Sequence, residues 1–215
     1  MAGRTYDRMA PIYERLTDAY SLGCVPRAKR QQLSHIHSGM RVLYVGIGPG
    51  GDALAAAEKG AEVTGVDLSA RMIELASARF ANAGLKADLR QSDLHSFDPG
   101  LPYDVVVANF LVDCFDAIER PRVVDRLNDF LRPGGTVLIS DTGSPRGSRL
   151  GRACWYAYHG VAYSVTWAQG LTTWLPVMDL HKYLLDSGFT VEEQVFHRPR
   201  PRGPVLFESI VGRKA

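Results

Sequence analysis

Between Arg41 and Ser140, short apolar runs rich in β-branched residues alternate with stretches of helical periodicity, and few architectures admit that alternation. The runs at residues 41–45, 62–66, 86–91, 104–108 and 136–140 read as strands. The patterns between them, at residues 52–59, 70–83 and 118–131, read as helices, and Arg132-Pro133-Gly134-Gly135 is the stop signal of the last. Strands separated by helices pair in parallel, so the class is α/β with a doubly wound sheet. A further helix over residues 177–187 precedes runs at 189–196 and 205–211, joined by a Pro/Arg-rich turn over 197–204. With 215 residues and no long linker, the chain reads as one domain.

Two segments stand outside this rhythm. Residues 5–33 are helical in character and place Tyr6, Tyr13 and Tyr20 at heptad spacing, although Pro11 and Pro26 argue against one unbroken helix. Residues 143–176 are too long for a strand-to-helix connection and hold Trp155, Tyr156, Tyr158, His159, Tyr163, Trp167 and Trp174. Such an aromatic load belongs to a cap over a pocket rather than to a disordered loop. The reading is thus an N-terminal helical cover (1–38), a central α/β unit and an aromatic insertion (143–176).

Composition narrows the function. A formal net charge of +2 is too balanced for a nucleic-acid-binding surface, and no apolar run approaches the ~20 residues of a membrane span. The N-terminus MAGRTYDRMAPIYERL lacks the apolar centre of a signal peptide, so a soluble cytoplasmic protein is expected. Cys24, Cys114 and Cys154 form no C-x-x-C pair and read as reduced thiols. His35-Ile36-His37 has no cysteine or carboxylate partner at ligand spacing, so no metal site is expected. The basic stretches at residues 27–30 and 198–202 read as solvated faces; sharing one surface, they would attract anionic lipid head groups or an acidic substrate.

The first strand runs into Gly46-Ile47-Gly48-Pro49-Gly50-Gly51-Asp52, which matches G-x-G-x-x-G, and Asp67 follows at the ~20-residue spacing of a ribose-binding acid. A nicotinamide dinucleotide and other adenosine-bearing ligands both fit this pattern. Pro49 weighs against the dinucleotide, because pyrophosphate is held by backbone N–H groups and proline has none. S-adenosylmethionine carries no phosphate.

These residues resemble the class I S-adenosylmethionine-dependent methyltransferases. Val42 to Gly50 resembles the family's first motif, Gly65-Val66-Asp67-Leu68-Ser69 with Met72 its second, and Gln91-Ser92-Asp93-Leu94 its third. Tyr103 to Asn109 and Leu131 to Gly135 resemble the signatures of the fourth strand and of the approach to the fifth. The resemblance implies a seven-stranded, mostly parallel sheet with an antiparallel last strand. It also implies that Gly46, Gly48 and Gly50 line the methionine portion, that Asp67 holds the ribose, and that Leu68 and Met72 flank the adenine. Asp93, with Leu94 beside it, would accept from the adenine amino group, and Asn109 would lie near the sulfonium. Tyr44 departs from the pattern, since the family commonly has an acid there. The segment from Tyr6 to Arg15 is similar to that of the ubiquinone and menaquinone biosynthesis methyltransferases, where it folds over the cofactor site; this implies that Tyr6 and Tyr13 face the pocket.

Methyl transfer from a sulfonium demands orientation and exclusion of water more than covalent help. The aromatic insertion suits that task, with Trp155, Tyr156, Tyr158, Tyr163 and Trp167 as acceptor contacts and His159 as the candidate base. Asp113 and Asp141, at the carboxyl edge of the sheet, are further acceptor contacts. The expected substrate is a small, largely apolar, aromatic or quinone-like molecule methylated on oxygen or carbon, with S-adenosylhomocysteine as the second product. Residues 143–176 contain no Asp or Glu, which disfavours an amine. The alternatives are a phospholipid or protein methyltransferase of the same fold, an NAD-dependent oxidoreductase and a non-catalytic adenosyl-ligand-binding protein.

Overall fold

The computed structural model describes residues 13–168 and 178–215. Seven strands form one sheet in the order β3-β2-β1-β4-β5-β7-β6: β1 Arg41–Val45, β2 Glu62–Asp67, β3 Asp88–Gln91, β4 Tyr103–Asn109, β5 Leu131–Asp141, β6 Phe189–His197 and β7 Phe207–Lys214. The first five are parallel, and β7 runs antiparallel to both β5 and β6. The sheet is the one the motif order implies. Its helices are α1 Tyr13–Tyr20, α2 Cys24–Gln32, α3 Gly51–Glu58, α4 Ala70–Asn82, α5 Glu119–Asp129, α6 Arg149–Ala168 and α7 Leu180–Asp186.

Alternation along the central strands explains the two layers. Leu43, Val45, Val106, Val137 and Ile139 face one side, where Val123 and Leu127 of α5 and Leu180 and Leu184 of α7 complete a core. Val42, Tyr44, Val105, Val107 and Leu138 face the other, against Ala53 and Ala56 of α3 and Ala76 and Phe80 of α4. Buried on both faces, β1 and β4 have the near-continuous apolar sequence of parallel strands. At Gly65 in β2 an added Cβ would lie 2.3 Å from Ile47 Cδ1 and 2.9 Å from Leu89 Cδ2, so only glycine lets the loop after β1 lie flat on β2.

Three expectations are corrected. Helix α5 ends at Asp129, and the Arg132-Pro133-Gly134-Gly135 stop lies inside β5, absorbed by a register irregularity opposite Tyr103 and Val105. The N-terminal helix does break, but at Leu22 and Gly23, whose φ values are +50° and +77°. Pro26 sits in the first turn of α2, where its missing N–H costs nothing. Within the insertion after β5, residues 149–168 form a twenty-residue helix, α6, where no helix was expected; Trp174, like Tyr6, lies outside the described residues. Among the described residues no helix is long and apolar enough to cross a membrane.

Candidate active site

The parallel strands end together at their carboxyl edge, and the loop from β1 to α3 is shaped there by glycines in the left-handed region: Gly46, Gly48 and Gly50 have φ of +69°, +56° and +75°. The N–H groups of Gly46 and Ile47 donate to the carbonyl of Val66 at 2.8 and 3.0 Å, anchoring the loop on β2. A Cβ at Gly50 would press on Ala76 Cβ at 3.1 Å, whereas one at Gly48 would meet nothing within 4 Å. Gly48 therefore borders open space. Asp67, at the end of β2, accepts from Gly48 N at 2.9 Å through Oδ2 and from Ser69 N at 2.9 Å through Oδ1. The carboxylate is aimed at the glycine loop. Leu68 beside it is 51% exposed, an unusual position for leucine and a ready apolar surface for a flat ring.

The remaining residues of the second and third motifs sit differently. Met72 and Leu94 are buried, and Leu94 belongs to the core under α5, so each presents little surface to a ligand. Asp93 is exposed, and its Oδ1 accepts from His95 N at 2.8 Å, which leaves its second oxygen toward solvent.

Asn109, at the end of β4, gathers a cluster that the motifs do not mark. Its Oδ1 accepts from Gln32 Nε2 at 2.9 Å and from Ser140 N at 3.1 Å, and its Nδ2 donates to Gln32 Oε1 at 2.9 Å and Asp52 Oδ2 at 3.1 Å. Lys29 Nζ stands 3.4 Å from the same Asp52 oxygen. The phenol of Tyr44 donates to the Asp52 carbonyl at 3.2 Å, and burial, with Asp52 nearby, pushes its pKa well up, so it stays neutral. Where the family has an acid on the strand, this chain has a neutral phenol, and an acid beyond the glycine loop in the first turn of α3. Asp52 was visible as the acid opening the helix after the glycine loop, but only the fold shows its partners.

The aromatic side of the edge is closed on itself. His159 is wholly buried, with Nε2 3.1 Å from the Leu206 carbonyl and Nδ1 2.6 Å from the Tyr20 hydroxyl. A carbonyl only accepts, so Nε2 carries the proton and Nδ1 accepts from Tyr20. Burial depresses the His159 pKa to about 4, against the smaller opposing effect of the hydrogen bond to the Leu206 carbonyl. The imidazole is neutral, and neither nitrogen is left for an acceptor. Tyr158 stacks on Tyr20 at 5.0 Å and donates to the Tyr20 carbonyl; burial raises its pKa to about 12. Tyr163 donates to Asp113 Oδ2 at 2.5 Å and lies 2.7 Å from Thr142 Oγ1. Asp141 accepts from the N–H groups of Val112, Asp113 and Thr142. Burial raises both carboxyl pKa values, and Asp113 raises that of Asp141 further.

Asp113, Asp141, Trp155 and Tyr163, read from the sequence as acceptor contacts, are thus inside the fold, where the two carboxyls and the phenol are satisfied by protein partners and the indole packs among aromatic rings. Trp155 is 1% exposed and packs on His159 with ring centres 4.5 Å apart. Of that set, Tyr156 and Trp167 reach the surface, at 45% and 56% exposure, and Tyr158 is half-buried. The side chain of Tyr13 lies outside the described residues, as does all of Tyr6.

Comparison with known proteins bears on this edge directly. Residues 42–135, which span the glycine loop, Asp67, Asp93 and Asn109, match the protein family described as a methyltransferase domain. The chain is a class I S-adenosylmethionine-dependent methyltransferase. It is 27% identical over 195 residues to a ubiquinone biosynthesis O-methyltransferase of Bradyrhizobium sp., covering 87% of this chain and 74% of the relative. A ubiquinone/menaquinone biosynthesis C-methyltransferase of Syntrophotalea carbinolica is 30% identical over 148 residues, 65% of this chain and 60% of that one. In structure, the methyltransferase resembles the magnesium protoporphyrin IX methyltransferase of Synechocystis PCC 6803, solved with bound S-adenosylhomocysteine. There the TM-score is 0.72 at 16% identity, covering 100% of this chain and 95% of that one. The methyl donor is S-adenosylmethionine, which sets aside the nicotinamide alternative.

Proposed function

We propose that this methyltransferase alkylates a small, largely apolar, aromatic or quinone-like acceptor on oxygen or ring carbon. One observation carries the reading: α6, which follows β5 at the ligand edge, exposes Tyr156 and Trp167 and contains no Asp or Glu. A flat apolar ring gains from such a surface, and a cationic amine finds no counter-charge on it. The ubiquinone-biosynthesis relatives, which include both O- and C-methyltransferases by name, support the same class.

Bound S-adenosylmethionine supplies a methyl group already activated by a cationic sulfur. The chain's work is to hold and orient. In this reading Asp67 accepts from the ribose hydroxyls, Gly46, Gly48 and Gly50 admit the methionine portion, Leu68 covers the adenine with Met72 and Leu94 beneath, and Asp93 accepts from its amino group. Asn109 stands near the sulfonium. Asp52 and Lys29 take the amino and carboxylate ends of the methionine, which replaces the acid missing at Tyr44. The aromatic cluster excludes water from the transfer. His159 is a positioning residue that holds Tyr20 and the segment entering β7 at Leu206, not the base.

The test is a panel of acceptors with methyl-labelled S-adenosylmethionine: catechols and quinols against primary amines, phosphatidylethanolamine vesicles and whole protein. Label on catechol or quinol is expected. Label confined to amines, lipid or protein overturns the substrate class.

A further inference from the structure

Apart from Lys29, the two arginine-rich stretches take no part in the methyl-transfer site, and the fold brings Arg27 and the turn after β6 together. Arg27 on α2 donates through Nη2 to the carbonyl of Arg198, in the turn after β6, at 2.6 Å, and through Nε to the carbonyl of Gly23 at 3.1 Å. Arg27, Arg198 and Arg200, with Gln31, Phe196 and His197, line a cleft of about 340 Å³. No carboxylate lines it. Several other exposed arginines are neutralised locally: Arg90 pairs with Asp88, Arg122 with Glu119, Arg132 with Asp104 and Arg213 with Glu192. Arg30, Arg149 and Arg152 stand exposed without a carboxylate among the described residues, but outside this cleft. Among the described residues, Arg27, Arg198 and Arg200 have no carboxylate partner. The neighbouring acid, Glu193, is held by the Gln31 amide at 2.7 Å and by His35 at 3.2 Å. Beside the cleft, Arg146 lies over the Phe196 ring at 4.6 Å, its charge met by the buried Glu208 carboxylate at 3.9 Å.

Like charges held together without counter-charge are costly, and an anion relieves the cost. The geometry points to a binding site in this cleft for the phosphate group of an organic phosphate. Arg27 donates to the carbonyls of Gly23 and Arg198, and Arg198 donates to the carbonyl of Gly203 at 2.5 Å, so backbone acceptors fix both guanidiniums. A phosphate, with more charge and more oxygens than a carboxylate, suits three cations better. Pro199 and Pro201 flank Arg200 and restrict its backbone, which lowers the ordering cost of holding it there. The volume suits one small phosphorylated group. The cleft is at the carboxyl end of β6, the border strand, with β4, β5 and β7 between it and β1, so it is separate from the glycine loop. The inference does not rest on the acceptor reading.

The full chain would be titrated with inorganic phosphate by calorimetry and, separately, sedimented with phosphatidylcholine vesicles with and without phosphatidylglycerol. The Arg200 guanidinium makes no hydrogen bond among the described residues, so Arg200→Ala tests charge without disturbing the turn. Saturable phosphate binding, weakened about tenfold in Arg200→Ala, abolished in Arg27→Gln/Arg200→Ala and intact in Arg122→Ala, is expected. S-adenosylhomocysteine affinity should be the same in all of them. Retention on phosphatidylglycerol vesicles that Arg200→Ala removes would identify the source as a lipid head group; phosphate binding without such retention would identify a soluble organic phosphate. Absence of both bindings, or binding that survives in the double variant, overturns the site.

Discussion

The two halves of the ligand edge are built on opposite plans. Around β1 and β2 the chain leaves surfaces open: Gly48 borders empty space, Asp67 is bonded to the backbone at that border, and Leu68 is half exposed. Around α1, α6 and the start of β7 the polar groups satisfy one another, with His159 held by Tyr20 and Leu206 and Tyr163 held by Asp113 and Thr142. An open site binds by what it offers; a closed one shapes what lies beside it. Substitutions in the first half should therefore act on ligand affinity, and those in the second on stability.

The sharpest separation comes from Trp155→Ala. The indole is buried against His159 and Tyr156, so its removal leaves a large cavity and should cost about 3–5 kcal/mol of stability in urea unfolding. S-adenosylhomocysteine affinity of the folded fraction should stay unchanged. Because Nε1 of Trp155 has no partner among the described residues, Trp155→Phe should cost clearly less. A fall in ligand affinity with unchanged stability would put Trp155 in the open half.

Asp67→Ala is the converse. Loss of hydrogen bonds from a carboxylate to the ribose should weaken S-adenosylhomocysteine binding by about 2 kcal/mol, roughly thirtyfold, by calorimetry. Wild-type affinity in that variant would move the ribose site elsewhere.

The same contrast explains what the sequence made legible. The glycine loop and Asp67 are read from spacing because a βαβ unit leaves them one way to meet, and Gly46, Gly48 and Gly50 take the left-handed conformations the motif requires. The mostly parallel, seven-stranded sheet with an antiparallel last strand was legible through the family resemblance, while the strand order is seen only in the fold. The aromatic half was not: Trp155, Tyr158 and Tyr163 carry no periodic sign of whether they face a pocket or one another, and both outcomes occur along α6. Asp52 escaped notice because its partners Lys29, Gln32 and Asn109 come from other elements, and only tertiary structure collects them.

The buried carboxyls give a smaller, pH-dependent effect. Folding raises the pKa of Asp113 and of Asp141, chiefly by burial. A raised carboxyl contributes its full stability below the ordinary aspartate value and loses it as pH rises through the folded value, because the unfolded chain then releases the proton more readily. Each such group imposes a slope of at most ~1.4 kcal/mol per pH unit over that window. Asp113→Asn keeps an oxygen to accept from Tyr163 and removes the charge that raises Asp141. Its urea midpoint should therefore fall less between acid and neutral pH than that of the wild type. Equal slopes would mean that the pair is ionised in the fold.

The smallest effect on turnover is expected from His159→Gln, and it decides whether the closed half takes part in proton transfer. Glutamine can donate to the Leu206 carbonyl and accept from Tyr20, replacing both hydrogen bonds of the neutral imidazole. As a positioning residue, His159 should lose less than about tenfold in turnover on this change, with the pH–rate profile unmoved. A base would cost about 10²-fold or more, with the loss shrinking as the acceptor ionises at higher pH. Stability provides an independent reading. The His159 pKa is lowered by burial, so its contribution is complete above the ordinary histidine value and is lost as pH falls toward about 4, where the folded imidazole would have to charge. His159→Gln should remove that acid-side loss in urea unfolding between pH 6.5 and 4. The two readouts together separate a side chain kept neutral to hold Tyr20 and the segment entering β7 in place from one that accepts a proton from substrate.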